Sequence, residues 1–200
     1  CSSDLAMGAG AAVQTVTVTG TNFVSGAAVT FSGTGISVST ATFVSSTQLL
    51  VNVTVASTAT VGLRNVTVTN PDKGAGTLTG GFTVVTPPTV TSVTPASRGQ
   101  GAANQNLVVA GTGFQSGATA TFSGTGITVN SVTFTSATSL TVNATIDAAA
   151  ATGARSLTIT NPDKGAATLA TGLTVNAGPK VTSATPTTLA QGASAQTLTI

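Results

Sequence analysis

The chain has 200 residues, of which 5% are charged, and it contains one Cys and no Glu, His, Trp or Tyr. That inventory excludes Ser-His-Asp and Cys-His catalysis, zinc sites of the usual ligand set and any intrachain disulfide. Six Lys and Arg over four Asp leave a net charge of +2, and the cations are dispersed, so no phosphate-binding surface and no nucleic-acid partner is expected.

The first residues are Cys1-Ser2-Ser3-Asp4. A start on Cys rather than Met indicates processing or excision, and two readings stand: Cys1 as the acylated anchor of a lipoprotein, or as a plain boundary of the chain. From Leu5 to Leu63 no side chain is ionisable, yet Thr and Gly interrupt every apolar run well short of the roughly twenty residues a spanning helix requires. A transmembrane β-barrel would alternate in the same way. It would also need Tyr and Trp girdles at both interfaces, and these the chain cannot supply. No transmembrane span is expected.

Val16 and Val18 alternate with Thr15, Thr17 and Thr19, and Val66 and Val68 alternate with Asn65, Thr67 and Thr69. This period of two is the mark of a half-buried strand, and the β-branched Thr and Val that dominate it fit a pleated sheet better than a helix. No stretch has convincing helical periodicity. Gly33-Thr34-Gly35 supplies residues that tolerate positive φ between two apolar strands, and Asn70-Pro71-Asp72-Lys73-Gly74 sets proline in a turn that glycine closes.

At a constant offset of 91 positions the pattern starts again. Gly20-Thr21-Asn22-Phe23 becomes Gly111-Thr112-Gly113-Phe114, Phe31 to Ile36 becomes Phe122 to Ile127, and the Asn70 turn becomes Asn161-Pro162-Asp163-Lys164-Gly165. One unit has been copied in tandem. The expected organisation is a first repeat over 1–86, a second over 87–177 and the opening strands of a third over 178–200. Pro87-Pro88 and Asn176-Ala177-Gly178-Pro179 form short, stiff junctions. In the second copy, strands are expected at 88–94, 105–111, 117–123, 126–134, 139–146, 154–161 and 167–176, a number suited to a sandwich. Phe23, Phe31, Phe43, Phe114, Phe122 and Phe134 are expected to plug the cores.

Pro88-Thr89-Val90-Thr91-Ser92-Val93-Thr94-Pro95, then Gly101, then Leu107 to Phe114, and finally Ile159-Thr160-Asn161-Pro162-Asp163, resemble the IPT/TIG class of immunoglobulin-like domains. The resemblance spans both repeats and the partial third. It implies an all-β chain of tandem early-set immunoglobulin-like sandwiches, which in bacterial surface proteins serve as spacers, stalks or adhesive modules. Two departures stand out. Lys73 and Lys164 lengthen the usual turn by one residue, and Cys1 to Asp4 stand where the first copy's opening strand is expected.

The residues offer little chemistry. Asp4, Asp72, Asp147 and Asp163 are the only carboxylates, and one Asp per turn favours a turn role over calcium, so no metal, cofactor or catalytic residue is assigned. The Gly-x-Gly pairs are read as hairpin turns rather than phosphate loops. Asn52, Asn65 and Asn143 begin glycosylation triplets that arise easily by chance in so Thr-rich a chain. Arg64 and Arg155 share a position at a strand start. They are weighed as contacts to a neighbouring domain or chain against plain end-of-strand charges, and Val181 and Ile200 are further candidates for contacts between repeats or subunits.

The function these features imply is a non-catalytic extracellular structural or adhesive module: a stalk repeat, or a subunit of a self-assembling filament or surface layer. Its physical basis is the sparse charge, which leaves little repulsion between neighbouring copies. Residues 178–200 carry two strands that cannot bury a core alone. They are expected either to fill the first repeat of a second molecule by β-addition or to begin a longer array. Two alternatives stay open, a polysaccharide-binding accessory domain and a decoration domain on a virus particle. A sugar platform would normally present Trp or Tyr.

Overall fold

The computed structural model describes residues 5–200. In chain order the strands are β1 (Ala6–Gly8), β2 (Gln14–Thr19), β3 (Ala28–Phe31), β4 (Ile36–Ser45), β5 (Gln48–Val55), β6 (Gly62–Thr69) and β7 (Ala75–Val85). They continue as β8 (Thr89–Thr94), β9 (Ser97–Gly99), β10 (Gln105–Thr112), β11 (Thr119–Phe122), β12 (Ile127–Ser136), β13 (Ser139–Ile146), β14 (Gly153–Thr160) and β15 (Ala166–Asn176). Among the described residues there is no helix.

Strands β1 to β7 recur, 91 positions on, as β9 to β15. In the first repeat the sheet β1-β7-β6-β3 faces the sheet β2-β5-β4, and in the second β9-β15-β14-β11 faces β8-β10-β13-β12. Both are all-β, immunoglobulin-like sandwiches. Even the irregularities repeat: register shifts at Val38/Thr40 and Arg64/Val66 return at Val129/Ser131 and Arg155/Leu157. The seven strands expected from alternation in the second repeat lie within two residues of those observed. The eighth, β9, runs parallel to β15 over three residues, too short a stretch to carry a pattern.

Period-two alternation places the cores. In the central strands β5 and β13 every second residue points inward, and Leu49, Val51, Val53, Val55, Leu140, Val142, Ala144 and Ile146 are all at 1% exposure or less. Each strand is paired on both sides, so none of these residues sits at a rim. From the opposite sheet Phe82 is 1% exposed and meets Phe31 edge to face, with ring centroids 4.9 Å apart. Leu173 holds the equivalent position in the second repeat.

The phenylalanines divide, and this corrects the expectation that all six plug the core. Phe114 is buried, and Phe23, Phe31 and Phe122 pack partly buried against the cores, but Phe43 and Phe134 remain 38% and 39% exposed. They lie near the ends of β4 and β12, which border their sheets, so only one neighbouring strand covers them. Phe82, on β7, is the plug the sequence reading did not single out.

The Asn-Pro-Asp-Lys-Gly turns are locked from inside. The Asn70 amide donates to the Asn22 carbonyl (2.9 Å) and its side-chain oxygen accepts from the Val24 N–H (3.2 Å), while Gly74 N–H donates to Asp72 Oδ1 (2.9 Å). Asn161, Gly113, Gln115, Asp163 and Gly165 repeat the arrangement. A carboxamide carries its donor and its acceptor on separate atoms, and each turn uses both at once. The extra lysines Lys73 and Lys164 take up positive φ angles of 72° and 66°.

Replacing Phe82 with Ala is expected to destabilise the first repeat by about 3–5 kcal/mol, and Phe43→Ala by less than about 1 kcal/mol, as read from denaturant unfolding. Equal losses would contradict the placement of Phe43 at the rim.

Candidate functional site

The described aspartates and the arginines are spent on local structure. Asp72, Asp147 and Asp163 each accept a backbone N–H two residues on, at 2.9, 2.7 and 2.8 Å. Among the described residues no group of three or more His, Cys, Asp or Glu gathers that could hold a metal ion. Arg64 donates to the carbonyl and hydroxyl of Thr60, and Arg155 to the Ala151 carbonyl. Both guanidinium groups also stand over a hairpin glycine, Gly33 and Gly124. The hydrogen bonds of both arginines therefore lie within their own repeats, where they brace one loop against a neighbouring turn. Asn52, Asn65 and Asn143 lie on strands, each hydrogen-bonded through its side chain, to Thr15, Gly80 and Asn106 respectively. Cys1 lies outside the described residues.

Among the described residues the two repeats differ at one sheet edge. In the second, β8 runs antiparallel to β10 in the register Val108↔Thr94, Val109↔Val93, Ala110↔Ser92, Gly111↔Val90 and Thr112↔Thr89, and it also packs against β15. The glycine at 111 is required there, because a Cβ would stand 1.9 Å from the Thr89 carbonyl oxygen. Under this cover Val109 and Phe114 are at 0% and 2% exposure.

In the first repeat β2 pairs with β5 alone among the described residues. Val18 and Phe23, the equivalents of Val109 and Phe114, are only half-buried, and Leu78 is 51% exposed where Leu169 is partly covered. A groove of about 600 Å³ runs along this edge, floored by Val18, Phe23, Phe31 and Val68 and bordered by Gly20 and Gly76. It occupies the place that β8 fills in the second repeat.

A second feature lies between the repeats. Gly8, at the end of β1, donates its N–H to the Asp163 carbonyl (3.0 Å), and a Cβ on Gly8 would come within 2.3 Å of the Gly165 Cα. Gly165 also faces Pro87, and Pro88 is buried beside Gly113. The turn of the second repeat is thus seated against the end of the first, through a contact that a side chain on Gly8 would prevent. Asn161 and Gly165 are buried, whereas the equivalent Asn70 and Gly74 are half-buried and exposed.

Residues 177–200 form no strand, but Thr185 and Thr199 make an isolated antiparallel bridge. That pair is the counterpart of Thr94↔Val108. Val181 is 68% and Ile200 80% exposed.

No helix of the described residues is long and apolar enough to cross a membrane. No curated protein sequence matches this chain. Among solved structures it is similar to a Bacteroides ovatus mixed-linkage glucan utilization locus protein, SGBP-B, in complex with a heptasaccharide, with 17% identity and a TM-score of 0.32 over 87% of this chain and 43% of that one. It is also similar to Yersinia pseudotuberculosis InvD (15%, 0.33, 94% and 58%) and to the surface glycan-binding protein PbSGBP-B of Prevotella bryantii (12%, 0.29, 82% and 36%). The chain thus spans less than two thirds of each of these proteins, and likeness at this level assigns it no ligand. The IPT/TIG domain profile matches residues 6–84 and 88–175. The chain belongs to the IPT/TIG family of immunoglobulin-like domains.

Proposed function

We propose that this chain is a non-catalytic structural module of an extracellular surface, a subunit of a self-assembling filament or layer. The observation that carries the reading is the seating of one repeat on the next through Gly8, Gly165 and Pro87. A joint in which two backbones touch has no room for long side chains to rearrange, so it transmits direction from one sandwich to the next. A spacer or fibre needs that property, and a solvated linker lacks it.

Surface composition supports the same reading. Cross-strand hydroxyl pairs such as Thr67 with Thr77 (2.9 Å) and Thr158 with Thr168 (2.7 Å) line the sheets in place of charges. With 5% charged residues, copies of the chain repel one another weakly. The matched family is one of immunoglobulin-like modules and indicates no enzyme.

Electron microscopy of the concentrated chain is expected to show ordered fibres or sheets; isolated short rods at every concentration would leave only a spacer. Gly8→Val is expected to loosen the joint and broaden the interdomain distance distribution in small-angle scattering. Each repeat should keep its stability to within about 1 kcal/mol. An unchanged scattering profile would show that the glycine contact does not set the angle between repeats.

A further inference from the structure

We infer that the long border strands β4 and β12 are contact sites for further copies of this chain, each pairing antiparallel with the same strand of a second copy across a local two-fold axis. The inference deepens the proposed self-assembly and rests on it.

The borders of the second repeat are protected unequally. One of its sheets ends on β9 and β11, the other on β8 and β12. Strand β9 has three residues and β11 four, too short to template a neighbour, and the six residues of β8 run between Pro88 and Pro95. Strand β12 has ten residues, none of them charged and none proline. The same holds for β4 in the first repeat. A border strand normally carries Lys, Pro or an inward charge that discourages pairing with another chain, and these two carry none. Bulges are the protective device they do have. The register shifts at Val129/Ser131 and Phe134/Ser136 bracket a regular stretch, Ser131 to Phe134, and Thr40 to Phe43 is bracketed in the same way in β4.

Within that stretch the backbone offers its groups outward. Gly111 N–H donates to the Thr138 carbonyl (3.1 Å), so by alternation Thr141 and Asn143 bond towards β12, while Val132 and Phe134 turn their N–H and C=O groups away from β13. Gly20 N–H and the Thr47 carbonyl (3.0 Å) fix the same phase in the first repeat, where Ala41 and Phe43 point outward. The side chains of these residues lie on the core face, at its open rim. Val132 and Ala41 are half-buried, and Phe134 and Phe43 are 39% and 38% exposed. One more strand beyond the border would bond the free backbone groups and cover the phenylalanines together.

The strand is its own complement. Residues opposite each other in an antiparallel pair lie on the same face of the sheet, so Val132 of one copy has to meet a core-facing residue of the other. Placing Thr133 on the two-fold axis sets Val132 against Phe134 on both sides of it, and each such pair exchanges its outward N–H and C=O groups. The two Thr133 side chains meet on the solvent face, as Thr67 meets Thr77 and Thr158 meets Thr168 within the chain. Centred on Thr42, β4 repeats the arrangement with Ala41 against Phe43. Like pairs with like because two-fold contacts are by far the commonest between identical chains.

A single two-fold contact closes on itself as a dimer. This chain carries the contact twice, once in each repeat. Each copy then holds one neighbour through β12 and another through β4, and the contacts run on into an open array.

Thr133→Cys in the full chain with Cys1→Ser tests the β12 contact. The two Cα atoms at 133 would stand about 4.5 Å apart, as in other non-hydrogen-bonded antiparallel pairs, within reach of a disulfide. The control is Thr128→Cys with Cys1→Ser, also exposed, on the same strand and face but away from the axis. Under mild oxidation during assembly the 133 variant is expected to link to itself at least about ten times more completely than this control. Phe134→Lys, which puts a charge beneath the added strand, is expected to leave only dimers joined through β4, and Phe43→Lys only dimers joined through β12. The double variant is expected to be monomeric in sedimentation at a concentration where the parent forms larger assemblies. The cysteine link reads the contact without depending on the lysine variants' stability. Assembly without the 133–133 link, or folded single lysine variants that assemble as the parent does, overturns border pairing and leaves self-assembly standing. Absence of any assembly overturns both.

Discussion

Most of the buried side chains among the described residues lie on strands and are placed by backbone pairing with a period of two. With 5% of the residues charged, ion pairs are a minor means of orienting the sheets, and the sandwich angle follows from strand twist and from packing between inward faces. Leu49, Val51, Val53 and Val55 lie inward only because β5 is held in register by strands on both sides. A slip of one residue would turn all four to solvent and bring Gln48, Leu50, Asn52 and Thr54 inward. Register is therefore the quantity the fold protects. The repeated bulges and the locked Asn-Pro-Asp-Lys-Gly turns are the devices that protect it.

Dependence on pairing makes sheet edges the sensitive part of the molecule. In the second repeat β8 closes the border beside β10 and seals Phe114 beneath it. In the first, the β2 border and the apolar groove below it stand open among the described residues. The glycine joint adds direction, because it brings the end of one sandwich against the turn of the next at backbone distance.

Much of the fold was legible from the residues. Duplication, strand positions and turn chemistry follow from local signals that agree with one another, such as alternating Val and Thr ending at Gly or Asn-Pro. Phe43 and Phe134 were misplaced because alternation tells which face a residue occupies, not how near the sheet's border it lies. Phe82 was missed because two glycines precede it and break the alternation on its N-terminal side. The strand β1 escaped notice because its parallel pairing to β7 spans three residues. Of the joint, the sequence carried the glycines but not their meaning. Gly8 and Gly165 lie far apart along the chain, and only the fold brings them together. The arginines at 64 and 155 were legible as a repeated pair, while their inward-turned hydrogen bonds depend on loop geometry that no period encodes.

Hydrogen exchange of single backbone amides in the dilute, unassembled chain tests the dependence on register most directly. Strand β5 is paired on both sides, by β2 and by β4, whereas β4 borders its sheet and pairs with β5 alone among the described residues. The account predicts that the amides of consecutive residues from Leu49 to Val53 are all protected, while protection along β4 alternates, its outward amides exchanging at least about a hundredfold faster. Uniform protection along β4, or alternating protection along β5, would contradict it.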